Sequence, residues 1–304
     1  MAKLSFWFRI ITASLVAVSI TVILTGCSAL RLGYNKLPEI ASWWLDSYID
    51  FSDAQGPQAK VALQKLQTWH RKEELPAIAE LLVQAQTLAP QNITPDQACK
   101  IWESAQIRIE SLIQESGRLA APVVSQLSAK QFKHLEKEWA SRNEDWKKQW
   151  LQGTPDTRVK KRVDIAAERF NSFYGDLNTE QRQLLKQQFL QSAWTPEWGY
   201  QQRLKRQQDQ LTALQAMSSE ITKPAMPLPQ VEKTLQSLIM QSVRPKDAGD
   251  MSKQLLLEQQ ACENLAQLHN IMSPSQRLKA QRKLKDYETD VRELMKIKLG
   301  SDQH

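Results

Sequence analysis

The 304-residue chain is 41% hydrophobic and 24% charged, a balance that supports a packed core and excludes a disordered chain. Nine glycines, with no Asn-Gly or Asp-Gly pair between alternating apolar runs, exclude a hairpin-rich β protein. Gln, Lys, Arg, Glu, Leu and Ala dominate and favour helices, while a formal net charge of +7 suits anionic lipid, an acidic polymer or nucleic acid as partners, but is read first as a solvated surface with no specific partner.

The chain opens with an apolar run over residues 10–24, preceded only by the charges of Lys3 and Arg9 and closed by Leu24-Thr25-Gly26-Cys27. The run is shorter than the ~20 residues that span a bilayer and matches the ~7–15 of a secretory signal. Small residues before a cysteine suit a lipoprotein signal peptidase, whose substrate cysteine carries a diacylglycerol. We therefore expect residues 1–26 to be a signal peptide, Cys27 to be lipidated, and residues 27–36 to form a short tether. Ser28 and Ala29 follow the cysteine without an aspartate, which resembles the outer-membrane address of Gram-negative lipoproteins. Loss of Lys3 and Arg9 lowers the charge from +7 to +5. Export removes nucleic acid from the partners and leaves the membrane, an envelope protein or an acidic polymer. Cys99 and Cys262 then remain, an even pair that reads as a candidate disulfide in an oxidising compartment.

A first mature helix is predicted over 37–51, with Ile40, Trp44, Tyr48 and Phe51 on one face. Trp43 and Trp44 lie close to the anchor, which suits the membrane interface, but core packing is the expectation. Asp46, Asp50 and Asp53 share another face and are read as solvated rather than metal-binding. A second helix runs from Ala54 through Val61, Leu66 and Trp69 until Leu75-Pro76 kinks or ends it, and 78–88 continues the pattern. His70 and Glu74 have metal-compatible spacing, yet beside Arg71 and Lys72 they read as a surface ion pair.

Four further helices open with one device, an apolar residue, a capping side chain and a glutamine three later. They are Ile93-Thr94 with Gln97, Leu127-Ser128 with Gln131, Leu177-Asn178 with Gln181, and Met272-Ser273 with Gln276. The cap oxygen takes an orphan N–H of the first turn, and the glutamine reaches back to the N–H of the cap residue. Pro95 and Pro274 suit first helical positions. On the second of these helices Phe132, Leu135, Trp139, Trp146 and Trp150 form a stripe. Arg158, Lys160, Lys161 and Arg162 follow it. Aromatics among bases suit single-stranded nucleic acid, but at helical spacing they are read as core, and the bases as solvated. Helices over 177–190 and 197–217 complete a lobe.

Three prolines within 223–230 mark a linker or loop. Beyond it helices are predicted over 231–242, 251–271 and 275–299. The last carries Ala280, Leu284, Tyr287, Val291 and Leu294 on one stripe that needs a partner. The domain reading is thus a main helical domain over 37–222 and a C-terminal helical segment over 231–304 packed on it. Cys262, placed with Leu255 and Leu265, and Cys99, one turn before Trp102, are expected to point inward.

Arg31-Leu-Gly-Tyr-Asn-Lys-Leu-Pro, Trp43-Trp-Leu-Asp-Ser-Tyr-Ile-Asp-Phe and Trp69-His-Arg-Lys-Glu-Glu-Leu-Pro resemble the opening of a proteobacterial lipoprotein family, the domain-of-unknown-function class 6279. Leu268-His-Asn-Ile-Met-Ser-Pro-Ser-Gln-Arg and Tyr287-Glu-Thr-Asp-Val-Arg resemble its end. The resemblance implies an all-helical envelope lipoprotein and no activity. A weaker one, carried by Thr94, Ser128, Asn178 and Ser273 with their glutamines, is to Spy/CpxP-type periplasmic chaperones, whose starts read Leu-Thr-x-x-Gln.

His70, His134, His269 and His304 stand in no nucleophile elbow or zinc motif, and there is no phosphate loop. No catalytic, cofactor or metal residue is assigned. The fold expected is all-α, an irregular multi-helix bundle behind a lipoprotein signal peptide. The function expected is a non-catalytic binding or scaffold protein of the envelope, facing the periplasm from the outer membrane. A holdase-type chaperone and an enzyme on an unrecognised envelope substrate are the alternatives.

Overall fold

A computed structural model describes residues 26–296, so the signal segment over 1–25 and the chain end over 297–304 lie outside the described residues. The helices are α1 (Gly26–Asn35), α2 (Leu37–Ile49), α3 (Gln55–Trp69), a π turn (His70–Glu74), α4 (Leu75–Leu88), α5 (Pro95–Val124) and α6 (Ala129–Trp150). Then follow α7 (Pro155–Tyr174), α8 (Thr179–Leu190), α9 (Pro196–Met217), α10 (Leu228–Met240), α11 (Ala248–Asn270) and α12 (Pro274–Lys296). The fold is all-α, with no strand among the described residues.

The segment read as a tether is helical. Lys36 N donates to Leu32 O at 3.1 Å and Ile40 N to Lys36 O at 3.0 Å, so Lys36 closes α1 and opens α2 and the two helices follow each other without a loop. Pro38 sits in the first turn of α2, where its missing N–H costs nothing. A helix unread in the sequence, α7, starts at Thr154-Pro155, where Thr154 caps the N–H of Thr157.

All four glutamine-containing starts form reciprocal capping boxes. A fifth stands at Ser52, whose N–H donates to Gln55 Oε1 at 3.1 Å while Gln55 N donates back to Ser52 Oγ at 3.3 Å. Four of the five are joined in pairs. Gln131 Nε2 donates to Gln55 Oε1 at 2.7 Å and to Asp50 O at 3.1 Å, and Gln55 Nε2 donates to Gln126 O at 2.9 Å. Gln181 Nε2 likewise donates to Gln276 Oε1 at 2.8 Å and Ile271 O at 3.2 Å, and Gln276 Nε2 to Asp176 O at 3.1 Å. In each pair a buried glutamine binds the carbonyl two residues before the partner's cap. The device thus stitches α3 to α6 and α8 to α12 as well as starting each helix. The apolar residue before three of these caps is itself core: Leu127, Leu177 and Met272 are buried.

The 30-residue α5 is the spine, against which α3, α4, α10 and α11 pack. A Cβ at Gly117 would meet Gln236 N at 3.2 Å and the Gln236 side chain closer still, so α10 reaches α5 because that position has no side chain. The last helix returns to the beginning, lying on α4, α1 and α7. Its stripe finds the partners it needs, with Val291 and Leu294 buried against Leu75 and Ala79, and Ala280 in a cluster with Val163, Ala167, Leu185 and Leu268. The proline run leads directly into α10, which begins at Leu228 with Pro227 as its cap residue. Cys99 on α5 and Cys262 on α11 are joined as a disulfide across 163 residues.

Several expectations are corrected by packing. Cys262 is buried, but Trp102, Leu255 and Leu265 turn to solvent, so the faces argued for the two cysteines were not the inward ones. On α6, Phe132 and Leu135 are core, whereas Trp139, Trp146 and Trp150 are half-buried, and Trp146 stacks on Tyr200. The bases after it are engaged. Arg158 meets Glu197 at 2.5 Å, and Arg162 lies over the rings of Phe189 and Trp194, at 4.5 and 4.8 Å.

Candidate functional site

The N-terminal arm is where the molecule departs most from a buried bundle. On the helical wheel continued through α1 and α2, Leu32, Lys36, Ile40, Trp43 and Trp44 fall on one side, with Leu37 at its edge. Among the described residues that side is open: Trp43 is 73% exposed, Ile40 53% and Trp44 50%. The expectation that the two tryptophans are core is therefore wrong. The inward face is instead built from Pro38, Ala41, Leu45 and Ile49, a narrower set that leaves the larger residues outside. The apolar stripe predicted over Ile40 and Trp44 is a real helix face, but among the described residues nothing buries it.

Beneath α2 the packing is open. Ala41, Ala59, Ala62 and Ala120 are too small to close the space between α2, α3 and α5. A cavity of about 310 Å³ lies among Leu45, Ile49, Leu63, Leu66, Leu127 and Leu214, with Ser116 the one hydroxyl-bearing residue of its wall. A second, of about 210 Å³, is bordered by Tyr34, Leu37, Pro38, Gln67, His70 and Leu112. Leu63 and Leu66 belong to both walls. Along the groove the residue numbers rise on α2 and α5 and fall on α3, so the two spaces lie in line. Leu37 lines the second cavity and is also half exposed, so the groove reaches the outward face there.

The polar end of the groove is set by the π turn. Leu75 N donates to His70 O, one residue wider than an α-helical bond. Pro76 has no N–H for the carbonyl of Lys72 and its ring would strike that carbonyl in a regular helix; the wider turn lets the chain pass. The predicted kink is thus a π turn, and it carries functional-looking groups inward. Glu74, expected in a surface ion pair with His70, is buried, and so is its neighbour Arg71. Arg71 donates to Leu294 O at 2.5 Å and Asn35 Oδ1 at 2.8 Å, and its guanidinium lies 5.1 Å from the centre of the Tyr34 ring. Glu74 accepts from Ser111 Oγ at 2.6 Å and lies 3.5 Å from Arg108. His70 does not pair with Glu74 but meets the Tyr34 hydroxyl at 3.0 Å. Burial lowers the His70 imidazole against the opposing charge of Glu74 and pushes the Tyr34 phenol up to about 12, so both are neutral near pH 7.

The same pairing recurs at the other end of the molecule, where Tyr174 Oη meets His269 Nδ1 at 2.9 Å and His269 Nε2 meets Gln91 O at 2.8 Å. Burial again lowers the histidine and raises the tyrosine to about 12. On α2, Asp46 accepts from Phe51 N at 2.9 Å and Asp50 lies 3.4 Å from Lys130. Among the described residues, no group of three or more His, Cys, Asp or Glu is placed to hold a metal, and no helix is long and apolar enough to cross a membrane. Cys27 lies in the first turn of α1, upstream of the outward face.

A family model described as a family of unknown function, DUF6279, matches residues 47–235, from the last turn of α2 into α10. No curated protein and no solved structure matches the chain.

Proposed function

The chain belongs to the family of unknown function DUF6279, and from that premise we propose that it is a lipid-anchored binding protein of the cell envelope that works by contact rather than turnover. The observation that carries this reading is the outward apolar face of α1 and α2, which follows directly on Cys27. Indole rings favour the boundary between hydrocarbon and head groups. Acyl chains on Cys27 and an amphipathic helix beginning beside them are two signals for one surface, and two signals anchor stably where one does not. The protein then sits on the periplasmic side of the outer membrane, with its helical body and the +5 charge of the mature chain turned to envelope partners.

The same exposed face favours one second reading. A holdase needs apolar surface rimmed by charge, and Lys36, Glu39 and Asp46 flank the tryptophans. Labelled fatty acid fed to expressing cells tests the anchor: it enters the wild-type full chain and not Cys27→Ser, and equal labelling of both would remove the proposal's premise. Light scattering of an aggregating client separates the two roles. The full chain in lipid nanodiscs leaves scattering unchanged if it acts as a scaffold, and suppresses it near one-to-one stoichiometry if it holds clients.

A further inference from the structure

We propose that the groove between α2, α3 and α5 binds one long-chain fatty acid, with its tail toward Leu127 and its carboxyl group at Tyr34 and His70. This goes beyond the anchoring role, and it rests on the groove alone. The first argument is polarity. The larger cavity has hydrocarbon walls and no charged side chain, whereas the smaller one ends in Tyr34, Gln67 and His70. A ligand matching that gradient is a linear amphiphile. The second is size. The groove follows α2 from Leu37 to Ile49, about 18 Å at the helical rise per residue, and cavities of about 310 and 210 Å³ in line accept one extended acyl chain rather than two.

The third argument is charge. Arg71 is not part of the cavity wall but stands behind it: it is buried, with its guanidinium 5.1 Å from the centre of the Tyr34 ring, so the head end lies in the field of a buried positive charge. A carboxylate is the acyl head group that complements a buried guanidinium with a neutral donor beside it. The hydrogen-bonded Tyr34–His70 pair, neutral through burial, keeps one proton beyond the bond it shares and supplies that single donor without a competing charge. The fourth is access. Leu37 is shared by the cavity wall and the exposed face, so a chain leaving a membrane surface would enter beside it.

The test uses the full chain in lipid nanodiscs and a diazirine-bearing palmitic acid, with adducts mapped on proteolytic peptides. The expected result is labelling of α3 and α5 at the groove lining, around Leu63, Leu66 and Leu119, competed by unlabelled palmitic acid. Ala120→Phe, which fills the larger cavity, should reduce that labelling about tenfold. Tyr34→Phe, a change too small to threaten the fold, should weaken competition by palmitic acid and leave competition by its methyl ester unchanged. Adducts confined to Ile40, Trp43 and Trp44 would mean surface adsorption and overturn the proposal. So would competition by a diacyl phospholipid but not by palmitic acid, or full labelling of a folded Ala120→Phe protein.

Discussion

The paired capping boxes set a quantitative test of how this bundle is held together, through Gln131→Ala. In the native fold Gln131 Oε1 accepts from Ser128 N at 2.9 Å, while Nε2 donates to Asp50 O at 3.1 Å and to Gln55 Oε1 at 2.7 Å. Truncation removes one half of a capping box, worth about 0.5–1 kcal/mol. It also removes the donor to the Asp50 carbonyl and one of the two donors to Gln55 Oε1, which still accepts from Ser52 N, at about 1–3 kcal/mol for each group that water cannot reach. A loss of about 3 kcal/mol follows. The comparison is Gln97→Ala, which breaks a box of the same form at the exposed start of α5, for about 0.5–1 kcal/mol. Gln55→Ala combined with Gln131→Ala should cost about 1 kcal/mol less than the two singles added, because the bond between the two glutamines is lost in each single and only once in the double. Urea unfolding followed by circular dichroism reads all four proteins. Equal losses for Gln131→Ala and Gln97→Ala, or strict additivity of the double variant, would refute the stitching of α3 to α6.

The Cys99–Cys262 bond closes a loop of 163 residues, for which chain entropy gives about 5 kcal/mol. Reduction should lower the urea midpoint sharply, and an unchanged midpoint would contradict a bond in the native protein. His70 and His269 are held below their ordinary value by burial. Below about pH 6.5 the unfolded chain therefore binds more protons than the folded one, so their contribution is complete above that pH and is lost as pH falls. Urea midpoints should accordingly drop between about pH 7 and pH 5, and a flat profile would count against buried neutral histidines. Ile40→Ser and Trp43→Ser should each change stability by less than about 0.5 kcal/mol, against about 3–5 kcal/mol for Phe132→Ala. A core-sized loss at Trp43 would show that α2 has been placed wrongly.

Local chemistry was the legible part of this fold. The four glutamine boxes were readable because a cap and its N3 partner interact within one turn, and the stripe on α12 was readable because a long amphipathic helix must find a partner. The box at Ser52 went unread although Phe51-Ser52 with Gln55 repeats the device, because the second helix was started at Ala54, past the serine that caps it. Pairing between boxes was not legible, since it joins residues 76 and 95 apart through side chains that also serve local roles. The candidate site was the least legible. Periodicity placed Ile40 and Trp44 on one face without saying whether a neighbour lies against it. Small residues such as Ala59 and Ala120 carry no signal of the space they leave. At Pro76 the sequence announced a disturbance, but whether it became a break, a kink or a π turn depended on Arg71 finding Leu294 O more than two hundred residues away.

The central claim is that the arm following Cys27 lies on a membrane. A photo-crosslinking amino acid at position 43 of the full chain, activated in intact cells, tests it directly. The account predicts adducts with lipid at position 43, and none from the same probe at position 209 on the far side of α9. Protein adducts alone at position 43, with no lipid, would contradict it.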